Sequence, residues 1–374
     1  MKRTPRSGYI LLLATLMVGL PSVALGQSTK PGNNDNTAYG TTSAEFLLLG
    51  AGARGTALGG SYAAVATDAS ALYYNPAGAA LGTHPSFVVG TVDYVADTRY
   101  SWGGLAFPFG GSKVFGVQLG TFGFKDQPVY TVEQPTGTGA TYSVNETFVG
   151  LTYAQQFSDR FSAGITAKGV FDNLGSVSGS AFGLDFGADF HSRLGGKPVR
   201  LGFTVQNLGT TMDYSGGDLN TSIPRDTAGA GTEPVPAELK SKAFSLPTVF
   251  QVALAYDVVS SANQNNRLTV IGSFNQANSN RAGFGFASEW TSRHLGGSGF
   301  GAAARGSYSW APANNISTSG AVPTAMTDEE NLQGAAGGGG LFYETPGFLV
   351  GVDYAFKYMG VLGGTHYLSV SLGW

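Results

Sequence analysis

The chain has 374 residues, with 57 Gly, 24 Phe, 17 Tyr, no Cys and a formal net charge of −3. Charged residues make up 12%, about half the ordinary ~25%, and glycine is about twice its ordinary ~7%, which excludes a disordered chain and sits badly with a soluble enzyme. The absence of cysteine excludes disulfide scaffolds and thiolate chemistry, the charge offers no basic footprint for nucleic acid, and a mean hydropathy of +0.02 excludes a polytopic helical membrane protein.

Lys2, Arg3 and Arg6 precede an apolar run over 9–20, Pro21 breaks the run, and Ala24-Leu25-Gly26 places small residues at a cleavage site. Residues 1–26 therefore read as a secretory signal peptide; the run is too short for a membrane span, which needs ~20 residues. Residues 27–42 are rich in Asn, Gly and Thr and read as a mobile polar tail. Residues 43–83 are too many for a simple lead-in and contain Gly50-Ala51-Gly52-Ala53-Arg54-Gly55, formally a GxGxxG. A dinucleotide site would need that motif inside a βαβ unit. Gly59-Gly60 interrupts the helix and no parallel-strand pattern follows, so the match is read as a product of glycine content.

From residue 86 onward the chain alternates with period two. Phe182, Leu184, Phe186, Ala188 and Phe190 share one face, and Ala181, Gly183, Asp185, Gly187 and Asp189 share the other. Such segments run over 86–95, 99–108, 114–122, 147–156, 161–171, 180–190, 199–208, 248–258, 267–274, 282–290, 300–309, 335–343, 348–356 and 366–374. Most have the ~9–11 residues of a tilted membrane strand, and an even number of antiparallel strands with an apolar outer face is the bacterial outer-membrane barrel pattern. Open sheet edges in hydrocarbon would leave backbone groups unpaired, so the sheet must close. The fold class expected is all-β, a fourteen-stranded antiparallel transmembrane β-barrel over 84–374. The three long connections, about 123–146, 209–247 and 310–334, fall on one parity, and short turns such as Phe157-Ser158-Asp159-Arg160 and Glu344-Thr345-Pro346-Gly347 on the other. With both termini periplasmic, the long connections face outside the cell.

The stretch Gly52-Ala53-Arg54-Gly55-Thr56-Ala57-Leu58-Gly59-Gly60-Ser61-Tyr62-Ala63-Ala64-Val65-Ala66, followed by Thr67-Asp68-Ala69-Ser70-Ala71-Leu72-Tyr73-Tyr74-Asn75-Pro76-Ala77-Gly78, resembles the opening of PorV/PorQ-family proteins. These belong to the FadL-type superfamily of fourteen-stranded outer-membrane barrels. The similarity continues in Val205-Gln206-Asn207-Leu208-Gly209, in Leu246-Pro247-Thr248, and from Val352-Asp353-Tyr354-Ala355-Phe356 to Gly363-Gly364-Thr365-His366. The resemblance implies that residues 43–83 fold back into the barrel as a hatch, with Asn75, Pro76, Ala77 and Gly78 as its motif and Asn75 hydrogen-bonding inside. Physically, Pro76 fixes its own φ and biases Asn75 toward extended backbone. Charge is expensive toward lipid, so Lys168, Asp185, Asp189, Glu289, Arg305 and Asp353 are placed in the lumen, pairing with one another or with Arg54 and Asp68 of the hatch.

At the C-terminus, Leu368, Val370, Leu372 and Trp374 alternate with Ser369, Ser371 and Gly373, similar to the terminal-strand signal read by the outer-membrane assembly machinery. His84, His191, His294 and His366 lie far apart, and no GxSxG, HExxH or calcium-loop motif is present. A non-enzyme without cofactor or metal is expected, in contact with outer-membrane lipids and not with nucleic acid. The resemblance to PorV/PorQ implies a component of type IX protein secretion that binds secreted cargo proteins at a large translocon and hands them to the cell-surface attachment machinery. The wider superfamily implies an alternative: FadL-type uptake of long-chain fatty acids or other hydrophobic molecules through a gap in the wall. The mostly polar long connections suit recognition of a protein surface.

Overall fold

The structure is a computed structural model that describes residues 41–223, 234–261, 265–279, 282–310 and 334–374. The signal peptide expected over 1–26, all but the end of the tail, and most of the connection 310–334 lie outside the described residues.

Fourteen strands form one closed antiparallel circuit. They are β1 (Ser86–Asp93), β2 (Arg99–Phe109), β3 (Lys113–Pro128), β4 (Thr141–Ser158), β5 (Phe161–Leu174), β6 (Val177–Leu194) and β7 (Lys197–Gly209), then β8 (Val249–Ser260), β9 (Asn266–Ala277), β10 (Gly283–Ser292), β11 (Phe300–Trp310), β12 (Ala335–Thr345), β13 (Phe348–Tyr358) and β14 (Gly364–Gly373). Each pairs with its sequence neighbours, and β1 closes on β14 in the register Ser86↔Gly373. Closure leaves no wall strand with an unpaired edge, as hydrocarbon demands. Every segment picked out by alternation is a wall strand. Burial alternates along the strands, most cleanly in β10. Phe182, Phe186 and Phe190 point outward, whereas Gly183, Asp185, Gly187 and Asp189 point into the lumen. Leu368 and Trp374 lie exposed on the outer face of β14, where the Trp374 ring meets Phe107 at 6.4 Å.

The structure departs from the periodicity at one end of the barrel. β3 and β4 run 16 and 18 residues, so the connection expected over 123–146 shrinks to 129–140. Their outer parts carry Lys125, Asp126, Gln127, Asn145 and Glu146, so the hydrophobic period is lost while the ladder persists past a register shift between Phe124 and Gln127. The connection after β7 is also built: Tyr214–Gly216 extends the ladder of β6, Thr211–Met212 pairs with Phe244–Ser245, and Asn220–Ile223 pairs with Val235–Glu238. Segments of two to four residues are too short to show a period.

The chain between residues 43 and 83 packs inside the circuit. It holds a single 3₁₀ turn (Glu45–Leu48), α1 (Gly52–Leu58), a second 3₁₀ stretch (Gly59–Ala64), α2 (Ala71–Tyr74) and α3 (Pro76–Ala79). The elements are one or two turns long, below the length at which a helix stands alone, so tertiary contact must hold them. Wall glycines supply the seats. A Cβ at Gly90 of β1 would lie 3.0 Å from Gly52 Cα, one at Gly202 of β7 would lie 2.7 Å from Ala63 O, and one at Gly164 of β5 would lie 2.7 Å from Pro76 O. The high glycine content thus answers a packing demand: short helices of Ala and Gly lie almost backbone-to-backbone on the wall.

Candidate functional site: a hatch between two lumenal cavities

The hatch motif folds around Asn75, which is fully buried with φ −159° and ψ 100°. Its Oδ1 accepts from Ala77 N at 3.1 Å and caps α3, with Pro76 in the first turn where its missing N–H costs nothing. Its Nδ2 donates to Ala63 O at 2.9 Å within the hatch and to Ala188 O of β6 at 3.3 Å. Ala77 O accepts from Ser162 Oγ of β5 at 3.0 Å, and Gly78 is required because a Cβ there would sit 2.1 Å from Ala66 O.

Against β1–β3 and β14 the hatch meets an aromatic wall. Phe46 lies 6.4 to 6.5 Å from the rings of Tyr100 and Phe122 and 6.1 Å from that of Phe148 on the adjoining β4, and Tyr73 lies 6.4 Å from Trp102. Polar groups on this side satisfy hatch backbone. Trp102 Nε1 donates to Gln118 Oε1 at 3.1 Å, and Gln118 Nε2 donates to Leu72 O at 2.7 Å. Tyr367 Oη donates to Leu49 O at 3.0 Å, and Ser369 Oγ accepts from Ala53 N at 3.0 Å. Within the hatch, Tyr73 Oη donates to Leu47 O and accepts from Gly50 N, and Tyr74 Oη accepts from Ala51 N. Burial pushes the Tyr73 and Tyr74 phenols well above their ordinary range, so they remain neutral partners.

Against β9–β13 the hatch meets charge. Arg54 of α1 forks onto Glu289 of β10, Nε to Oε2 at 2.9 Å and Nη2 to Oε1 at 3.0 Å. Arg305 of β11 reaches the same carboxylate at 2.7 Å, and Arg267 of β9 reaches it at 3.3 Å. Arg305 also pairs with Asp353 of β13 across Gly340 of β12, where a Cβ would lie 2.0 Å from Asp353 Oδ1. Asp68 of the hatch lies 3.6 Å from Arg54. Around the wall the belt continues through the rung partners Glu289↔Thr269 and Thr269↔Asp257 to Arg200, which meets Asp257 at 2.7 Å. Asp189 lies further round, 3.4 Å from His191.

Lys168 and Asp185 form a separate group, 2.9 Å apart. Both hold Asn207, which takes φ 57° in β7: its N–H donates to Asp185 Oδ1 at 2.7 Å, and Lys168 Nζ donates to its side-chain oxygen. Asn207 Nδ2 in turn donates to Pro247 O, and Thr248 Oγ1 donates to Asn207 O. The motifs Val205–Gly209 and Leu246-Pro247-Thr248, distant in sequence, thus meet at a register shift in the β6–β7 ladder.

Two cavities flank α1 along the same strands. One of about 380 Å³ lies toward the end carrying the C-terminus, lined by Arg54, Arg267, Arg305, Phe342, Leu349 and Asp353. The other, of about 260 Å³, lies toward the long connections, lined by Thr56, Gly59, Gly60, Ser307, Ser309 and Lys357. β11, β12 and β13 contribute to both. Between them α1 rests on β12, where a Cβ on Gly338 would lie 3.1 Å from Ala57 Cβ.

Sequence reasoning named Arg54, Asp68, Glu289, Arg305 and Asp353, which the structure brings together, and Lys168, Asp185 and Asp189, which lie elsewhere in the lumen. It missed Arg200, Asp257, Arg267 and Lys357. Parity was the available signal, since Lys357 follows Asp353 and Ala355 on one face, one residue beyond the segment read as 348–356. The phenol and amide contacts of Tyr73, Tyr74 and Gln118 carry no local pattern.

A fourteen-stranded antiparallel barrel closed around an N-terminal hatch defines the class: the fold is that of FadL-type outer-membrane barrels. The chain is similar to the Pseudomonas putida toluene transporter TodX, with 12% identity over 87% of this chain and 96% of that one and a TM-score of 0.51. It is likewise similar to the CymD monoaromatic hydrocarbon channel, at 15% identity over 87% and 97% with a TM-score of 0.51. The Ralstonia pickettii toluene transporter TbuX matches at 12% identity over 88% and 98%, also at 0.51. At such identities the likeness is one of fold. No protein-family model matches the chain, and no curated protein matches it.

Proposed function

We propose that the chain is a non-enzymatic outer-membrane channel for small hydrophobic molecules, opened by a local shift of the hatch around α1. The observation that carries this reading is the pair of cavities on β11–β13, one on either side of α1, which packs on β12 with Ala57 against Gly338. In this reading α1 interrupts a passage along these strands, and its displacement joins the two cavities. The solved structures of similar fold are toluene and monoaromatic hydrocarbon channels, which supports the same reading. In it the long connections face outside, the outer face of β1–β14 meets lipid, and Leu368, Val370, Leu372 and Trp374 form the strand read during assembly.

The chain has no cysteine, so a cross-link tests the gate without background. The double variant Gly52→Cys with Ser369→Cys brings two Cβ atoms about 3.7 Å apart, inside the ~3.5–4.5 Å that a disulfide needs, and ties the start of α1 to β14. Oxidised, this variant in liposomes should stop uptake of labelled toluene, and reductant should restore it. Equal uptake in the oxidised and reduced forms would overturn the reading.

Carriage of secreted proteins, the role implied by the PorV/PorQ resemblance, has one feature in its favour. β3 and β4 extend well past the length of their neighbours and hold up the polar connection 129–140. Purification of the native chain together with secreted proteins and a large translocon would favour it over the channel.

A further inference from the structure

The Lys168–Asp185 pair also holds a side-chain amide. Lys168 on β5, Asp185 on β6 and Asn207 on β7 are all buried. Lys168 Nζ lies 2.9 Å from Asp185 Oδ1 and donates to Asn207 Oδ1, which sets the lysine nitrogen beside the amide carbonyl carbon. The register shift between β6 and β7 creates this contact. An unbroken β7 would turn Asn207 outward with Leu201 and Phe203; the shift, with Asn207 at φ 57°, turns it inward. Gly183 stands opposite Lys168 in the β5–β6 ladder and leaves room between the strands. Two apolar side chains flank the site: the Phe148 ring lies 5.7 Å from Lys168 Nζ, and Leu246 Cδ1 would lie 3.3 Å from a Cβ on Gly183.

We propose that Lys168 and Asn207 join in an intramolecular isopeptide bond, formed by the folded chain itself with Asp185 as the general base. An amine attacks a carbonyl carbon only when it is neutral. The first Lys168 proton moves to Asp185, which turns two buried charges into two neutral groups, a change that burial favours. Nζ then attacks Asn207 Cγ, the Cγ–Nδ2 bond breaks, and a second Nζ proton goes with Nδ2, which leaves as ammonia. Asp185 Oδ2 is buried without a hydrogen bond, so the carboxyl is free to carry a proton through the exchange. Pro247 O accepts from Nδ2 at 3.1 Å and so faces the departing nitrogen. The step consumes no oxidant or co-reactant, and holding the amine against the amide replaces a bimolecular encounter. The product ties β5 to β7 across β6, a covalent brace in a chain without cysteine. It stands whether or not the barrel conducts hydrophobic molecules.

The test is mass spectrometry of the full chain, refolded from urea into detergent micelles and compared with the same chain kept in urea. The folded barrel is expected to be lighter than its sequence by one ammonia, and the chain in urea to be unaltered. Digestion of the folded form should give one branched peptide joining Lys168 to Asn207, with cleavage by a lysine-specific protease lost after Lys168. Asp185→Asn should slow formation of the bond by about 100-fold or more, the usual worth of a positioned base, and Lys168→Arg should give the unaltered mass. Where a variant does not give a folded, heat-modifiable barrel, the wild-type branched peptide decides alone. A folded wild type at its full sequence mass, with cleavage after Lys168 intact, overturns the inference. An ammonia lost from another asparagine, with Lys168 still free, overturns it as well. A branched peptide formed equally in urea, or undiminished in Asp185→Asn, overturns the part assigned to the folded site and its carboxylate.

Discussion

The hatch meets two unlike walls. On β1–β3 and β14 it is held by rings and by single hydrogen bonds from Trp102, Gln118, Tyr367 and Ser369 to its backbone. On β9–β13 it is held by one guanidinium, Arg54, entering a network centred on Glu289. Ring packing is a sum of many small attractions and tolerates slight shifts. A buried ion pair does not, because each partner left alone bears its desolvation cost unrepaid. Both cavities lie on the charged side. The difference indicates a division of labour: the aromatic wall anchors the hatch, and the charged wall sets the position of α1.

Removing the centre of the network should have the largest effect. Glu289 is 1% exposed and satisfies three guanidinium groups at once. Glu289→Ala is expected to destabilise the closed hatch by about 3–5 kcal/mol, the usual cost of breaking a buried pair from one side. Hydrogen exchange should then accelerate over residues 52–64 and much less over 71–80, and toluene uptake should rise. Uniform protection across both stretches would mean that the aromatic wall holds the whole hatch and the comparison is wrong.

A smaller effect should come from disturbing a seat away from the charges. A Cβ at Gly187 would lie 2.2 Å from Asn75 Oδ1 and 2.8 Å from Pro76 Cδ. Gly187→Ala should cost about 1–3 kcal/mol as overpacking, and exchange should accelerate around 75–80 first. Gly272→Ala is the control, since no atom lies within 4 Å of its added Cβ, and stability should stay within about 0.5 kcal/mol. Equal losses in the two variants would show that strand glycines matter for ladder geometry and not as seats.

The wall was legible in the sequence because membrane strands obey a strict rule: apolar outward, small or polar inward. Fourteen repeats of that rule located Asp185, Glu289, Arg305 and Asp353 on the lumenal face without any structure. It stopped being legible where the rule stops. The outer halves of β3 and β4 keep their ladder but carry Lys125, Asp126 and Glu146, which no longer alternate with apolar residues. The hatch was legible only through its resemblance, since its helices are too short to show a period of 3.6. Its partners were hidden for a different reason. Arg54 and Glu289 are 235 residues apart, and their meeting depends on which wall strand α1 crosses, which no local pattern encodes.

The aromatic side can be probed without mutation, through its phenols. Burial holds the Tyr73 and Tyr74 phenols well above the ordinary value, which is about 10. In the unfolded chain both groups would ionise near that value. The folded hatch therefore binds their protons more tightly, and its stability is fully present below about pH 10 and declines as pH rises toward the folded values. Phenolate absorbance should accordingly include a late stage, in which the hatch phenols ionise only as the hatch loosens. Tyr73 Oη donates to Leu47 O, so its ionisation removes that donor and should loosen the 3₁₀ turn that precedes α1 from the aromatic side, while Gly50 N and Ala51 N keep their acceptors. A single-stage titration at the ordinary value, with the barrel still folded, would show that these phenols reach water and that the aromatic wall is not the anchor.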